Sequence, residues 1–139
     1  MKSLVLCFMM TVALGWAQQE TQNGVTLTIT LENVLNDQGD ILAALHTQDT
    51  FMKGPGVTNY KSVAQKGQMT FTFNNVTPGT YGISVLHDLN SNQRMDYESN
   101  GMPTEPYGMS GNDMSMGPPS FDGVSFEVGA ADQDIAIRF

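Results

Sequence analysis

Side chains of opposite polarity alternate along this chain one by one, and that period of two constrains it to strands before any other feature is considered. Val25, Leu27, Ile29 and Leu31 share one parity, and Thr26, Thr28 and Thr30 the other. Successive strand residues point to opposite faces, so this is a half-buried strand with a β-branched outer face. Met69, Phe71 and Phe73 alternate with Thr70 and Thr72 in the same way, and Tyr81, Ile83 and Val85 begin another strand after the Pro78-Gly79 turn. Ile41 to His46, after the turn Asn36-Asp37-Gln38-Gly39-Asp40, is apolar on both faces and reads as a more central strand. Phe126 and Val128 precede Ile135, Ile137 and Phe139, and the short Gly129 to Gln133 connection suits a hairpin. No window outside the first residues carries the i, i+3, i+4 apolar stripe of a helix. The expectation is an all-β fold, a single sandwich of about seven strands spanning residues 25–139.

Two stretches break the pattern. Phe51 to Ser62 reads as a loop with room for a short helical or extended turn. Asp88 to Ser120 is a long run of Asn, Asp, Ser, Gly, Pro and Met without alternation, and loops this long in a compact domain tend to carry function. A third segment stands apart from the fold. Lys2, the apolar run Leu4 to Leu14 and the small residues Gly15 and Ala17 have the layout of a signal peptide over residues 1–17, followed by a flexible stretch at 18–24. The apolar run falls short of the roughly 20 residues a membrane span needs. The expected chain is therefore exported, periplasmic or secreted, with no membrane span after cleavage. Cys7 is the one cysteine, and Leu6 before it argues against lipidation. The sandwich itself carries no thiol, hence no disulfide and no thiolate metal site.

Charge narrows the partners. With Lys2 removed, five basic side chains face fourteen acidic ones, a net charge of −9. Such a chain repels nucleic acid and anionic membrane and attracts cations.

The chemistry concentrates where a strand opens into the long loop. In Asp88-Leu89-Asn90-Ser91-Asn92-Gln93-Arg94-Met95-Asp96 side-chain oxygens fall at relative positions 1, 3, 5 and 9. A tight loop with that spacing wraps one hard cation, and the backbone carbonyl of Arg94 and the carboxylate of Glu98 extend the set. Calcium accepts such mixed oxygen ligands, whereas zinc prefers nitrogen and sulfur. Gln93 stands where a helix-loop-helix calcium loop has glycine, and no helices flank the segment, so a calcium hand of that kind is excluded. The competing reading is structural: Asp and Asn making turns through their own backbone.

His87-Asp88-Leu89-Asn90-Ser91-Asn92, then Asp96, then Gly101-Met102-Pro103-Thr104-Glu105-Pro106-Tyr107-Gly108, then Pro118-Pro119-Ser120-Phe121, resembles the signature of the domain-of-unknown-function 2141 family. The resemblance runs from about Val25 to Phe139. It implies an exported bacterial protein with an immunoglobulin-like or transthyretin-like sandwich, and it implies no activity. Gln93 departs from the usual glycine of that pattern, and Met109 from a frequent aromatic residue.

His87 has the parity of Ile83 and Val85 and should face inward, fixing the loop together with Gly101, Pro103, Glu105 and Gly108, while Asp88 should face outward. His46, from another strand, is in a position to meet His87. The functional expectation is a non-enzymatic envelope module, binding or structural, with a calcium-stabilised loop and an envelope or extracellular partner. Two alternatives stand beside it: copper binding through Met109, Met114, Met116 and His87, since thioethers suit Cu(I), and hydrolysis of envelope polymer by Glu98 and Glu105 as paired acids.

Overall fold

Two sheets enclose one apolar layer in the computed structural model, which describes residues 24–111 and 118–139. The expected signal segment, most of the stretch 18–24, Met114 and Met116 lie outside the described residues. In chain order the elements are β1 (Val25–Val34), β2 (Asp40–His46), β3 (Thr58–Val63), β4 (Gly67–Val76), β5 (Gly79–Asp88), β6 (Tyr107–Met109), α1 (Phe121–Val124), β7 (Phe126–Val128) and β8 (Gln133–Arg138). The first sheet has the order β4-β1-β8, and the second β3-β2-β5-β6, with β7 also paired to β5. The fold is an all-β sandwich. Among the described residues no helix is long and apolar enough to cross a membrane.

The alternation does what its period requires. Leu27, Ile29 and Leu31 of β1, Ile41 and Leu45 of β2, Phe73 of β4, Ile83 of β5 and Ile137 of β8 are sealed in the shared core. The threonines of β1 and β4 cover the outer face of the first sheet, where Thr28 faces Thr72 and Thr30 faces Thr70. The β1 pattern slips once. Asn33 takes φ 66°, the register shifts between Leu31 and Val34, and Val34 turns back into the core. An extra residue in a left-handed conformation is how a bulge resets which face a strand presents, and Asn tolerates it better than most.

Three expectations are corrected. Residues 51–62 are not all loop, because β3 pairs there with β2 in antiparallel register, Tyr60 opposite Ala43. Its alternation is faint because this edge strand buries little, and what holds it is the Tyr60 ring stacked on Phe71 at 4.3 Å. The last two strands form no hairpin: β7 joins β5, whereas β8 crosses to the other sheet and runs parallel to β1. A short connection permits a hairpin but does not compel one, and here Ile137 reaches the core beside Leu31. The segment 88–120 is also less irregular than its composition suggests, since it contains β6 and a bridge between Tyr97 and Pro103. The four-residue α1 that follows is started by the Ser120 hydroxyl, which accepts the Gly123 N–H.

Candidate functional site

β5 ends on His87 and Asp88, both with no solvent exposure, at the mouth of the polar loop. His87 faces the core as its parity requires. Its backbone N–H donates to Pro106 O at 2.9 Å, and its ring Nε2 lies 2.6 Å from Gln38 O. A carbonyl only accepts, so Nε2 carries the proton. Among the described residues Nδ1 is buried without a hydrogen-bond partner, and the ring stacks on Phe139. His87 therefore ties β5 to the β1–β2 turn. It does not meet His46, which sits at the far end of β2 opposite Gly82.

Asp88 has the outward parity expected of it, yet it is not exposed. Its own loop folds back over it. Oδ1 accepts the Asn92 N–H at 3.2 Å and Oδ2 accepts the Gln93 N–H at 2.6 Å. A second carboxylate completes the brace from the far side of the loop: Glu105, 7% exposed, accepts Leu89 N–H at 2.9 Å through Oε1 and Asp96 N–H at 3.2 Å through Oε2. Hydrogen bonds from amides to a charged acceptor are stronger than neutral ones, so two buried carboxylates hold the loop by its backbone. Both are acceptor-only groups, which suits a loop whose N–H groups turn inward.

Above this brace, Asn90, Asn92 and Asp96 converge. Asn90 Nδ2 donates to Asp96 Oδ2 at 2.7 Å, and Asn92 Nδ2 lies 2.9 Å from both Asp96 oxygens. The amide oxygens make turns, Asn90 Oδ1 accepting from Asn92 N–H and Asn92 Oδ1 from Arg94 N–H. Ser91 and Gln93 are held at φ 57° and 64°. Left-handed backbone at two non-glycine residues of one short loop is strain that the surrounding bonds offset.

The six expected cation ligands thus divide. Asn90, Asn92 and Asp96 meet. Asp88 lies beneath them, bonded to backbone. Arg94 is exposed, and Glu98 stands on an exposed turn in which its N–H donates to Met102 O at 2.8 Å. Among the described residues no group of three or more His, Cys, Asp or Glu is gathered to hold a metal. Of the expected loop-fixing residues, Gly101 takes φ 84° to close that turn, Pro103 bridges Tyr97, and Gly108 lets β6 approach β8, since a Cβ there would stand 2.8 Å from Arg138 O. Glu98 and Glu105 are not placed as a matched acid pair, one being exposed and the other buried under the loop. Met109 is half-buried on β6.

One residue that sequence reasoning passed over belongs to this site. Gly39, at φ 73°, lies against the mouth of the loop, and a Cβ there would fall 2.0 Å from Asp88 O. The turn was legible from Asn36 to Asp40, but nothing in its composition says that it packs against a loop some fifty positions away. The opposite end of the same sheet holds a second polar group. His46, 5% exposed, bonds Thr50 Oγ1 through Nδ1 at 3.1 Å and Ser84 Oγ through Nε2 at 3.2 Å, with the Phe51 ring edge-on to it. Burial lowers its pKa from the usual 6.5, partly opposed by a backbone hydrogen bond with Thr50.

Fold and site together define a class: a small all-β sandwich that presents one polar loop braced by two buried carboxylates. The chain belongs to the domain-of-unknown-function 2141 family, described as uncharacterized proteins conserved in bacteria, whose model matches residues 29–136. Neither the curated proteins nor the solved structures provide a match.

Proposed function

We propose that this is an exported, non-enzymatic bacterial envelope protein that presents its 88–120 loop to an envelope or extracellular partner, with calcium stiffening the loop. The observation that carries the calcium reading is the convergence of Asn90 and Asn92 on the Asp96 carboxylate within 2.7 to 2.9 Å, above the buried Asp88. Turning either amide over by 180° brings its oxygen to the place its nitrogen holds, at the loss of the bond that oxygen now accepts from the N–H of Asn92 or Arg94. A hard cation placed between them would draw on Asn90, Asn92, Asp96 and the free lone pairs of Asp88, and it would supply only charge and coordination. Export is supported by Lys2, the apolar run Leu4 to Leu14 and the small residues before Gln18. Presentation of the loop is supported by its exposed Tyr97 and Met102, residue types that anchor interfaces.

Affinity in the range of extracellular modules, a dissociation constant of about 10⁻⁴ to 10⁻³ M, is expected. At ten times that constant calcium would add about 1.4 kcal/mol of stability. Thermal melts in millimolar calcium and in chelator test this directly. Calcium should raise the melting temperature of the native chain and leave that of Asp96→Ala unmoved. No calcium effect on the native chain removes the cation from the proposal, and an equal rise in Asp96→Ala places it elsewhere.

A further inference from the structure

The His46 group at the other end of the sheet has the order nucleophile, base, orienting hydroxyl, and one of its two tautomers leaves Nε2 free. Thr50 Oγ1 accepts the Thr47 N–H at 3.1 Å and stands 3.4 Å from Thr47 O, to which its own proton can go. A proton on His46 Nδ1 then fills the remaining acceptor position of Thr50, and every group is satisfied. In that tautomer Nε2 is a bare lone pair, 3.2 Å from Ser84 Oγ. The Phe51 ring, itself against Phe121, shields the imidazole from water. Among the described residues, His46 makes its hydrogen bonds and ring contact with Thr50 and Phe51 of its own turn and Ser84 of β5, none of them charged.

The surroundings of Ser84 supply a substrate class. Its register partners are Ala44 on one side and Met109 on the other, with Leu42, Leu86 and Tyr107 next along the same outer face. Ser84, Ala44, Leu42, Leu86 and Met109 are all half-buried, and all but Ser84 are apolar, where the outer face of the other sheet carries threonines. We infer that Ser84 is a nucleophile activated by His46, with Thr50 as its positioning residue, and that it takes the acyl group of an activated ester with an apolar chain lying along this strip. Ser84 Oγ forms a bond to the acyl carbon, the bond from that carbon to the leaving alcohol breaks, and the serine proton passes to His46 Nε2. The alcohol leaves as its anion. Since Ser84 is paired through its backbone on both sides, its own amide is committed to the sheet, and the expected outcome is a single covalent capture with slow release.

The inference is independent of the calcium reading. The test uses p-nitrophenyl hexanoate and p-nitrophenyl acetate on the folded chain, with intact-mass and peptide analysis. A single adduct on Ser84 is expected, absent from Ser84→Ala and formed at least about a hundredfold more slowly in His46→Gln, the usual scale of general-base assistance. Labelling of the native chain should rise with pH and level off as His46 becomes neutral. In Thr50→Val that profile should shift, which a merely structural role for the hydroxyl would not cause. Circular dichroism on each variant confirms that the fold persists. An unlabelled Ser84 in the folded chain, or equal rates in His46→Gln, overturns the inference. Equal rates for the hexanoyl and acetyl esters overturn the apolar substrate class.

Discussion

Replacing Glu105 with alanine should loosen the loop before it unfolds the sandwich. Glu105 is 7% exposed, and its two oxygens hold the N–H groups of Leu89 and Asp96, at 2.9 and 3.2 Å. A hydrogen bond to a charged group contributes about 1.5–3 kcal/mol where the freed partner stays dry. Both amides lie near the surface end of the loop, where water can replace part of the loss, so each bond counts at the lower end. The expected cost is about 2–3 kcal/mol, with Glu105→Gln losing about half because one acceptor remains. The loop is attached at the end of β5 and does not contribute to the shared core. Much of that cost should therefore be seen as local opening rather than global unfolding. Native-state hydrogen exchange separates the two. Exchange at Leu89 and Asp96 should accelerate by about 30- to 100-fold, and at Asn92 and Gln93 less, since those are held by Asp88. Amides of Ile29 and Ile83 should change only by the smaller shift in the urea midpoint. If Glu105→Ala leaves loop exchange unaltered and global stability within about 0.5 kcal/mol, the brace has no energetic weight and the reasoning fails.

Three further outcomes follow from the geometry. Gly39→Ala should destabilise by about 3 kcal/mol or abolish folding, because the added Cβ meets Asp88 O at 2.0 Å and φ is 73°; urea denaturation reads it, and a loss below about 1 kcal/mol contradicts the packing. Gln93→Gly should raise the melting temperature slightly, by relief of a left-handed backbone at φ 64° worth about 1 kcal/mol before the added freedom of the unfolded chain is subtracted; a fall would mean the side chain matters more than the strain. Because burial lowers the pKa of His46, the unfolded chain takes up its proton first as pH falls through 6.5, so stability should drop there and level off below the folded value. Melting temperature against pH should show a smaller drop in His46→Gln, and identical curves would contradict the burial of the ring.

The core positions of β1, β4 and β5 were readable because a period of two states the buried face outright. The same parity placed His87 inward and Asp88 outward, and both orientations hold. What parity could not say is that Asp88 would be covered, because the cover comes from Glu105 and the loop itself, brought back by the Tyr97–Pro103 bridge and the pairing of β6 with β5. The expected cation ligands met the same limit. Spacing aligned Asp88, Asn90, Asn92 and Asp96, but whether an oxygen turns toward a neighbour's oxygen or toward a backbone N–H depends on the loop's own hydrogen bonds.

The amino-acid order by itself determined a β-sandwich, its buried faces and the one segment where polar chemistry gathers, since these follow from local alternation and composition. Tertiary structure alone decided that β8 runs parallel to β1, that Gly39 abuts Asp88, and that His46 meets Ser84 instead of His87. Those are contacts between residues far apart in the chain, and they depend on how two sheets register across a common core. Local propensity carries no record of that register.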